Sequence, residues 1–364
     1  MTTAPFPAPL ETPTTERDQR IAAIDIGSNS IRQIVADVSP TGAIRVIDEM
    51  KAMPRLGQGV DQTGRLSETA MDAAVSAITR MSVLARQFGA ERVEVVATSA
   101  VRDAENGPEF SDRVAAACGL PVRVLSGEAE ARLSFRSALA HFELGAGRTV
   151  VMDIGGGSLE LVLAKEGVIE RLASLPFGAI RLTEQYLSPE VRPRGVRALR
   201  ETVRAALRTA VPVKDWRGAT VIGSGGTFTN LAGILLARHG LTNRSTHGTR
   251  VSRVDLEHVL DWLQRLSATE RTHVAGLNPQ RADIIVAGMA VAAEVLARFD
   301  PRDLLVSGYG IREGLLLEAA RVMPVVADPG AARERTVREF AERCHADLRH
   351  ALHVQRLALQ LYDA

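Results

Sequence analysis

Lysine and cysteine are scarce in this chain, charge of either sign barely prevails, and no long apolar run occurs. Three lysines, Lys51, Lys165 and Lys214, stand among 44 basic residues, and none lies in a G-x-x-x-x-G-K context. A P-loop is therefore excluded, because its lysine must follow the second glycine to reach the phosphates. The two cysteines, Cys118 and Cys344, are far apart and form neither a C-x-x-C nor a metal-type spacing. They point to a reducing compartment and to reduced, inert thiols. A formal net charge of +1 over 364 residues supplies no global basic field. Extended nucleic-acid binding thus lacks electrostatic support, and any anion must be held locally. No stretch of eighteen apolar residues appears, since even the apolar Thr149–Ile154 breaks into glycines, which argues against a membrane-spanning helix. The first twenty residues, rich in Pro and Thr, lack the apolar segment of a secretory signal and are expected to form a disordered tail. The expected location is the cytoplasm, with neither a membrane nor a nucleic acid as partner.

What is present is ordinary in bulk and unusual in pattern. With 46% hydrophobic and 24% charged residues, the chain reads as soluble and globular, long enough for two or three domains. The most informative feature is an internal echo. Ala23-Ile24-Asp25-Ile26-Gly27-Ser28-Asn29-Ser30-Ile31 returns as Val151-Met152-Asp153-Ile154-Gly155-Gly156-Gly157-Ser158-Leu159, at an offset of 128 residues. Each copy reads as a buried strand, an Asp, a glycine-bearing turn with a hydroxyl residue, and a returning strand. A period this long is no solenoid repeat and predicts two duplicated domains facing one another.

Around the hairpins, helix and strand signals alternate: a helix near Ser67–Phe88, strands at Val93–Ala97 and Val122–Leu125, and helices over Pro108–Ala117 and from Ser126. Two further strand–glycine elements, Ala219–Thr227 and Leu304–Gly310, open the helices Phe228–Arg238 and Ile311–Ala320. This alternation predicts an α/β architecture. Glycine turns at strand ends let backbone N–H groups approach an anion closely, and helix N-termini add partial positive charge. Any one of them is more often just a tight hairpin, but four, each beside a Ser or Thr, predict phosphate handling. A Rossmann fingerprint is absent, because Gly155-Gly156-Gly157 runs into a second strand, Leu159–Leu163, where a helix is needed.

These residues carry a resemblance. The paired D-I-G-x-x-S hairpins, Gly223–Thr227 and Ser307–Gly314 resemble the phosphate loops, adenosine-type loop and closing helix of the sugar kinase, heat-shock ATPase and actin superfamily. Asp25–Ser30, Ala97–Ala104, Leu125–Leu133, Asp153–Glu160, Gly178–Leu182 and Gly310–Gly314 together resemble the exopolyphosphatase and guanosine pentaphosphate phosphohydrolase family over about residues 21–320. The resemblance implies two ribonuclease H-like (actin-like ATPase) lobes with a cleft between them. The expected division is a lobe at 21–140, a second at 141–322, and a helical C-terminal segment at 323–364. There, His350-Ala351-Leu352-His353-Val354 is similar to the opening helix of an HD-type domain whose other metal ligands are missing.

The resemblance further implies a general base at the glutamate before A-R-L, Glu130, and acidic metal ligands at Asp153 and Glu160 for Mg²⁺ or Mn²⁺. Asp25 is a third candidate ligand and equally a turn residue bonded to nearby backbone N–H groups. The family's acidic run before A-R-L is interrupted here by Ala129. Arg102 is expected to stabilise charge on the transferred phosphoryl group, a role that its own setting would not have singled out. The expected phosphate cradle is Gly27, Ser28, Asn29 and Ser30, then Gly155, Gly156, Gly157 and Ser158, then Ser224, Gly225, Gly226 and Thr227. Residue geometry separates two glutamates independently. Glu128 and Glu130 point to opposite sides of the helix opened by Ser126. Glu128 has Arg132 four residues on, an exposed pair of little value, while Glu130 has Ser134 there and no cation on its own helix. The dipole of that first turn favours an ionised Glu130 near neutral pH.

The implied activity is metal-dependent hydrolysis of a phosphoanhydride, releasing terminal phosphate from inorganic polyphosphate, guanosine pentaphosphate or both. Lobe closure is expected to hinge near Leu139–Gly147 and Glu313. A kinase or ATPase of the same superfamily, and a non-catalytic polyphosphate or alarmone sensor, stay open. So does the oligomeric state, a homodimer included.

Overall fold

In the computed structural model, residues 17–142, 144, 147–211, 216–322 and 347–362 are described. The first half runs β1 (Gln19–Ile26), β2 (Ile31–Val38), β3 (Ile44–Ala52), α1 (Val60–Thr63), α2 (Glu68–Gln87), β4 (Arg92–Ala97), α3 (Ser99–Asp103), α4 (Gly107–Cys118), β5 (Arg123–Val124) and α5 (Gly127–His141). The second runs β6 (Arg148–Ile154), β7 (Leu159–Lys165), β8 (Val168–Leu175), α6 (Ala179–Leu182), α7 (Pro193–Ala210), β9 (Thr220–Ser224), α8 (Gly226–Arg238), β10 (Arg250–Val251), α9 (Arg253–Leu263), α10 (Ala268–Arg271), α11 (Ile285–Phe299), β11 (Leu304–Val306) and α12 (Ile311–Ala319). A further helix covers Leu348–Tyr362. β1 opens at Gln19, so Gln19 and Arg20, expected in the tail, pair with Val38 and Asp37 instead.

The repeat seen in the sequence is a repeat of topology. One sheet has the order β3-β2-β1-β4-β5, and the other, read from its far edge, has β8-β7-β6-β9-β11 followed by β10. In each, the first three strands form an antiparallel meander and the fourth returns parallel to the first. Even the irregularity repeats: the ladder slips between Val35 and Ala36 in one meander and between Leu163 and Ala164 in the other. A bulge bends a strand and increases its twist, so the two sheets curl alike.

β1, β6 and β7 are nearly continuous buried apolar runs because both faces of each sheet are covered. α2 and α4 cover one face of the first sheet through Met71, Ile78, Phe110 and Val114. α12 covers the other: Leu315, Leu316 and Leu317 join Ile21, Ala23, Ile34 and Leu133 in one cluster. The segment grouped by sequence with the second lobe thus returns to pack on the first. α5 sits between the lobes, with Ala131, Phe135 and Ala138 against Val151, Val162 and Ile222 of the second sheet. α5 and α12 touch at backbone distance, since a Cβ on Gly314 would come within 2.0 Å of the Leu133 carbonyl oxygen. Glycine there is a packing requirement. The second core is built around α11, whose apolar residues pack on α7, α9 and the second sheet.

The C-terminal ends of β1 and β6 therefore face one another, each followed by its glycine turn. The expected hinge at Leu139–Gly147 falls partly outside the described residues, as does most of the segment 323–364 apart from Leu348–Tyr362. Cys118 is buried and free, while Cys344 lies outside the described residues. No described helix is long and apolar enough to cross a membrane.

Candidate active site

The two hairpin turns close in the same way, with Gly27 N–H donating to Ser30 O (3.2 Å) and Gly155 N–H to Ser158 O (3.0 Å). They meet at their tips. A Cβ on Gly156 would lie 2.8 Å from the Ser28 Cβ and 3.2 Å from Asn29 N, so only glycine permits this approach. Other segments brace the pair: Gly57 N–H donates to Ser28 O (2.8 Å), Ser28 Oγ and Ser99 Oγ lie 2.9 Å apart, and Ile180 N–H donates to Gly156 O (2.8 Å).

Behind the turns lies a cleft of about 860 Å³, open space included. Of the expected cradle, Gly27, Ser28, Asn29, Ser30, Gly155, Gly156, Ser158, Gly225 and Gly226 line it. Three do not. Gly157 is wedged against Ser99, where a Cβ would come within 2.4 Å of the hydroxyl. Thr227 is fully buried, packed on Gly288 of α11, and Ser224 lies buried beside Asp153 in the β6–β9 ladder. Both sit within the wall behind the cleft.

Five carboxylates line it: Glu313, which accepts from Gly310 N–H (2.7 Å) at the start of α12, and the four candidates Asp25, Glu130, Asp153 and Glu160. Asp153 and Glu160 are directly opposed across β6 and β7, which puts both on one face. Asp153 accepts from Ser134 Oγ (2.8 Å), and Glu160 from Ser174 Oγ (3.0 Å). Asp25 occupies the matching place on β1, and Glu130 projects from the first turn of α5, whose N-cap Ser126 accepts from Ala129 N–H (3.2 Å). Burial raises all four carboxyl groups above their ordinary range, Asp25 to about 6 against the pull of Arg32 and Arg312. Glu130, 3% exposed, is pushed up to about 8 by burial, against which the Arg102 charge acts. Glu160 is held well up by burial and then by Glu130 and Asp153. At Glu130, burial thus opposes the Arg102 charge, which favours the ionised form.

Arg102 differs from expectation too. Its Nη1 donates to Glu130 Oε1 and to Leu125 O (2.9 Å), and it does not line the cleft. Glu130 has its cation after all, supplied by α3 instead of its own helix. The exposed Glu128 makes no ion pair with Arg132 among the described residues.

The arginines that do face the cleft are Arg32, Arg281 and Arg312. Arg312 is committed to Glu49 (2.8 Å) and the Gln33 carbonyl (3.1 Å). Arg32 and Arg281 make no side-chain hydrogen bond or ion pair among the described residues, and the Arg281 Nε is a buried donor without an acceptor. Burial and then mutual repulsion with Arg32 bring Arg281 down to about 10; burial and Arg312 lower Arg32. Two converging guanidinium groups, one half-buried and one buried, without hydrogen-bond partners among the described residues, favour an anion between them. Arg281 also packs on Gly226, where a Cβ would meet its guanidinium at 2.4 Å, and so covers the glycine face read as an adenosine-type loop.

The echo held the signal for Arg32, because it follows Asp25 at the spacing by which Glu160 follows Asp153. Arg281 carried no local signal; only the chain's return through Pro279–Arg281 brings it to the cleft. The donor set suits a hard cation. Asp153, Glu160 and the unpartnered Asp25 Oδ1 are oxygen ligands, and Mg²⁺ is commonly held by one or two carboxylates plus water and phosphate. No three acidic, His or Cys residues among the described residues form a complete metal cage. This applies equally to His350 and His353 of the last helix.

Comparison with known proteins agrees with this architecture. Residues 34–322 match the Ppx/GppA phosphatase family. The chain is 36% identical over 318 residues to exopolyphosphatase 2 of Mycobacterium tuberculosis, covering 83% of this chain and 98% of that one. The crystal structure of the Aquifex aeolicus Ppx/GppA family member superposes with a TM-score of 0.70 at 31% identity, over 84% of this chain and 98% of that one. An exopolyphosphatase from Cytophaga hutchinsonii superposes with a TM-score of 0.74 at 26% identity, over 83% and 98%. Two lobes of repeated topology, the acidic and basic walls between them, and these likenesses place the chain in the Ppx/GppA phosphatase family, with the actin-like two-lobed fold.

Proposed function

We propose that the cleft hydrolyses the terminal phosphoanhydride of inorganic polyphosphate. The observation that carries this reading is a pair of guanidinium groups without hydrogen-bond or ion-pair partners among the described residues, the half-buried Arg32 and the buried Arg281, facing buried carboxylates across one cleft. Such a site takes a group that is anionic on one side and reacts on the other. The backbone amides of the two turns and the Asn29 side chain, whose amide atoms are buried without partners, orient the terminal phosphoryl group. Glu130 orients a water and takes its proton as that water attacks phosphorus; the shortened polyphosphate leaves with the electrons of the broken P–O bond. Arg102 holds Glu130 in place and favours its ionised form. A divalent cation bound at Asp153 and Glu160, with Asp25 near, would offset phosphate charge and the mutual repulsion of the carboxylates.

Guanosine pentaphosphate presents the same terminal anhydride and is the second substrate supported by this chemistry. The kinase or ATPase reading fits less well, because Arg281 lies where nucleotide would meet Gly226. The test is phosphate release from long-chain polyphosphate, guanosine pentaphosphate and ATP, with and without Mg²⁺. Polyphosphate hydrolysis that needs the metal and exceeds ATP hydrolysis is expected. Binding of polyphosphate without hydrolysis would favour the sensor reading.

A further inference from the structure

The registers of the two meanders place one residue from each strand in a row. In the second lobe the row is Asp153, Glu160, Ser174, from the centre of the sheet to its edge. In the first it is Asp25, Arg32, Lys51. Directly opposed residues on antiparallel strands share a face, so each row runs outward from the cleft floor along one surface. One row is acidic with a hydroxyl at its edge; the other turns basic after its first member.

Lys51 stands on the edge strand β3, just beyond the residues that line the cleft. It makes no hydrogen bond or ion pair among the described residues, although Glu49, two positions away on the same strand, is held by Arg312. Its side chain is exposed at the rim of the cleft, where desolvation and then the charges of Arg32 and Arg281 bring the ammonium down to about 8. A lysine that merely guards a sheet edge against pairing would have no reason to stand beside other cations. Here Arg32 stands directly across the ladder from Lys51, and both Arg32 and Arg281 lie near enough for their charges to act on it.

We propose that Lys51 seats the phosphates beyond the terminal one, so that a linear polyphosphate enters along the row Lys51, Arg32 and meets Arg281 at its reacting end. This rests on the reading of the cleft as a polyphosphate hydrolase. The terminal phosphoryl group occupies Arg32 and Arg281; the next units of the chain pass over β3 and out of the cleft. Lys51 is a specificity residue for chain substrates and takes no part in the bond-breaking step.

The test compares the parent with Lys51→Met and Lys51→Arg in the full chain. Steady-state phosphate release is measured on long-chain polyphosphate, and inhibition by inorganic phosphate is measured alongside, since the free ion fills only the terminal position. Lys51→Met should raise KM for polyphosphate about tenfold, as expected for loss of a charge-assisted phosphate contact, leave the inhibition constant of phosphate unchanged, and be rescued by Lys51→Arg. An unchanged KM overturns the inference. An equal rise in KM and in the phosphate inhibition constant also overturns it, because Lys51 would then act on the terminal position. A parent that releases no phosphate from polyphosphate overturns the reading of the cleft itself, and the seat with it.

Discussion

Arg32 occupies in the first hairpin the register position that Glu160 occupies in the second, each directly opposite an aspartate, Asp25 or Asp153. Duplication made two equivalent walls, and this exchange of a carboxylate for a guanidinium makes one of them basic. Arg32→Gln and Arg281→Gln should each raise KM for polyphosphate by about 10- to 100-fold, the range for losing a hydrogen bond to a charged partner. Arg312→Gln should do much less to KM, because Glu49 and the Gln33 carbonyl already hold that side chain. Steady-state kinetics on the three variants decides it; equal effects would mean that Arg312 leaves its partners for substrate.

Glu130→Gln removes the proton acceptor while preserving size. The expected loss is about 10²–10⁴-fold in kcat, with polyphosphate binding retained in calorimetry. Glu128→Gln is the control, being exposed and unpaired among the described residues, and should behave as the parent. A Glu130→Gln variant within about threefold of the parent, far short of a general-base loss, would remove Glu130 from the chemistry.

The raised carboxyl groups also predict how stability depends on pH. Folded Glu130 titrates near 8 against an ordinary 4.5, and Glu160, Asp153 and Asp25 shift in the same direction. Between those values the folded chain binds more protons than the unfolded one. The cluster's contribution to stability therefore falls as pH rises through the window. In chelator, Tm should be lower at about pH 8 than at about pH 6, and Glu130→Gln should flatten that slope. Mg²⁺ competes with protons for the same oxygens, so it should raise Tm more at the higher pH. A metal-induced shift of equal size at both pH values would argue against carboxylate ligation.

Arg55 joins the lobes. It donates to both carboxylate oxygens of Asp283 and to Gln280 O (3.1 Å), from a loop whose Gly57 N–H holds Ser28 O. Asp283 follows Arg281 by two residues, so the pair ties the loop that braces the first glycine turn to the turn that carries Arg281. Both partners are about one-third exposed, and such a pair is worth about 1 kcal/mol at most. Arg55→Asp and Asp283→Arg should each lower kcat/KM by about threefold to fivefold, and the double reversal should restore most of the loss. Failure of the double variant to recover would show that the pair does not position the loops.

Much of this molecule was legible before its coordinates. The echo at Asp25 and Asp153 predicted two related lobes, and the helices and strands assigned from sequence, such as those near Ser67–Phe88, at Val93–Ala97 and from Ser126, lie within a residue or two of the observed ones, while β3, β8, α7, α9 and α11 were not assigned. Those features depend on residues near in sequence: caps, turns and alternation act over a few positions. Glu130, Asp153 and Glu160 were identified for the same reason, through short motifs.

Partnership was not legible. Arg102 reaches Glu130 from another element, Arg281 comes to the cleft from the turn before α11, and α12 packs on the sheet of the opposite lobe. Each depends on contacts between segments far apart in the chain. Burial acts on the carboxyl groups as well: the first turn of α5 alone favours an ionised Glu130, whereas desolvation between the lobes pushes its carboxyl group up. The sequence by itself determined the duplicated hairpins, their glycine turns and the acids they carry, because these are local. Only the tertiary structure decided which wall is acidic, which is basic and which cations remain unpaired, because that follows from how two sheets face one another across a desolvated cleft.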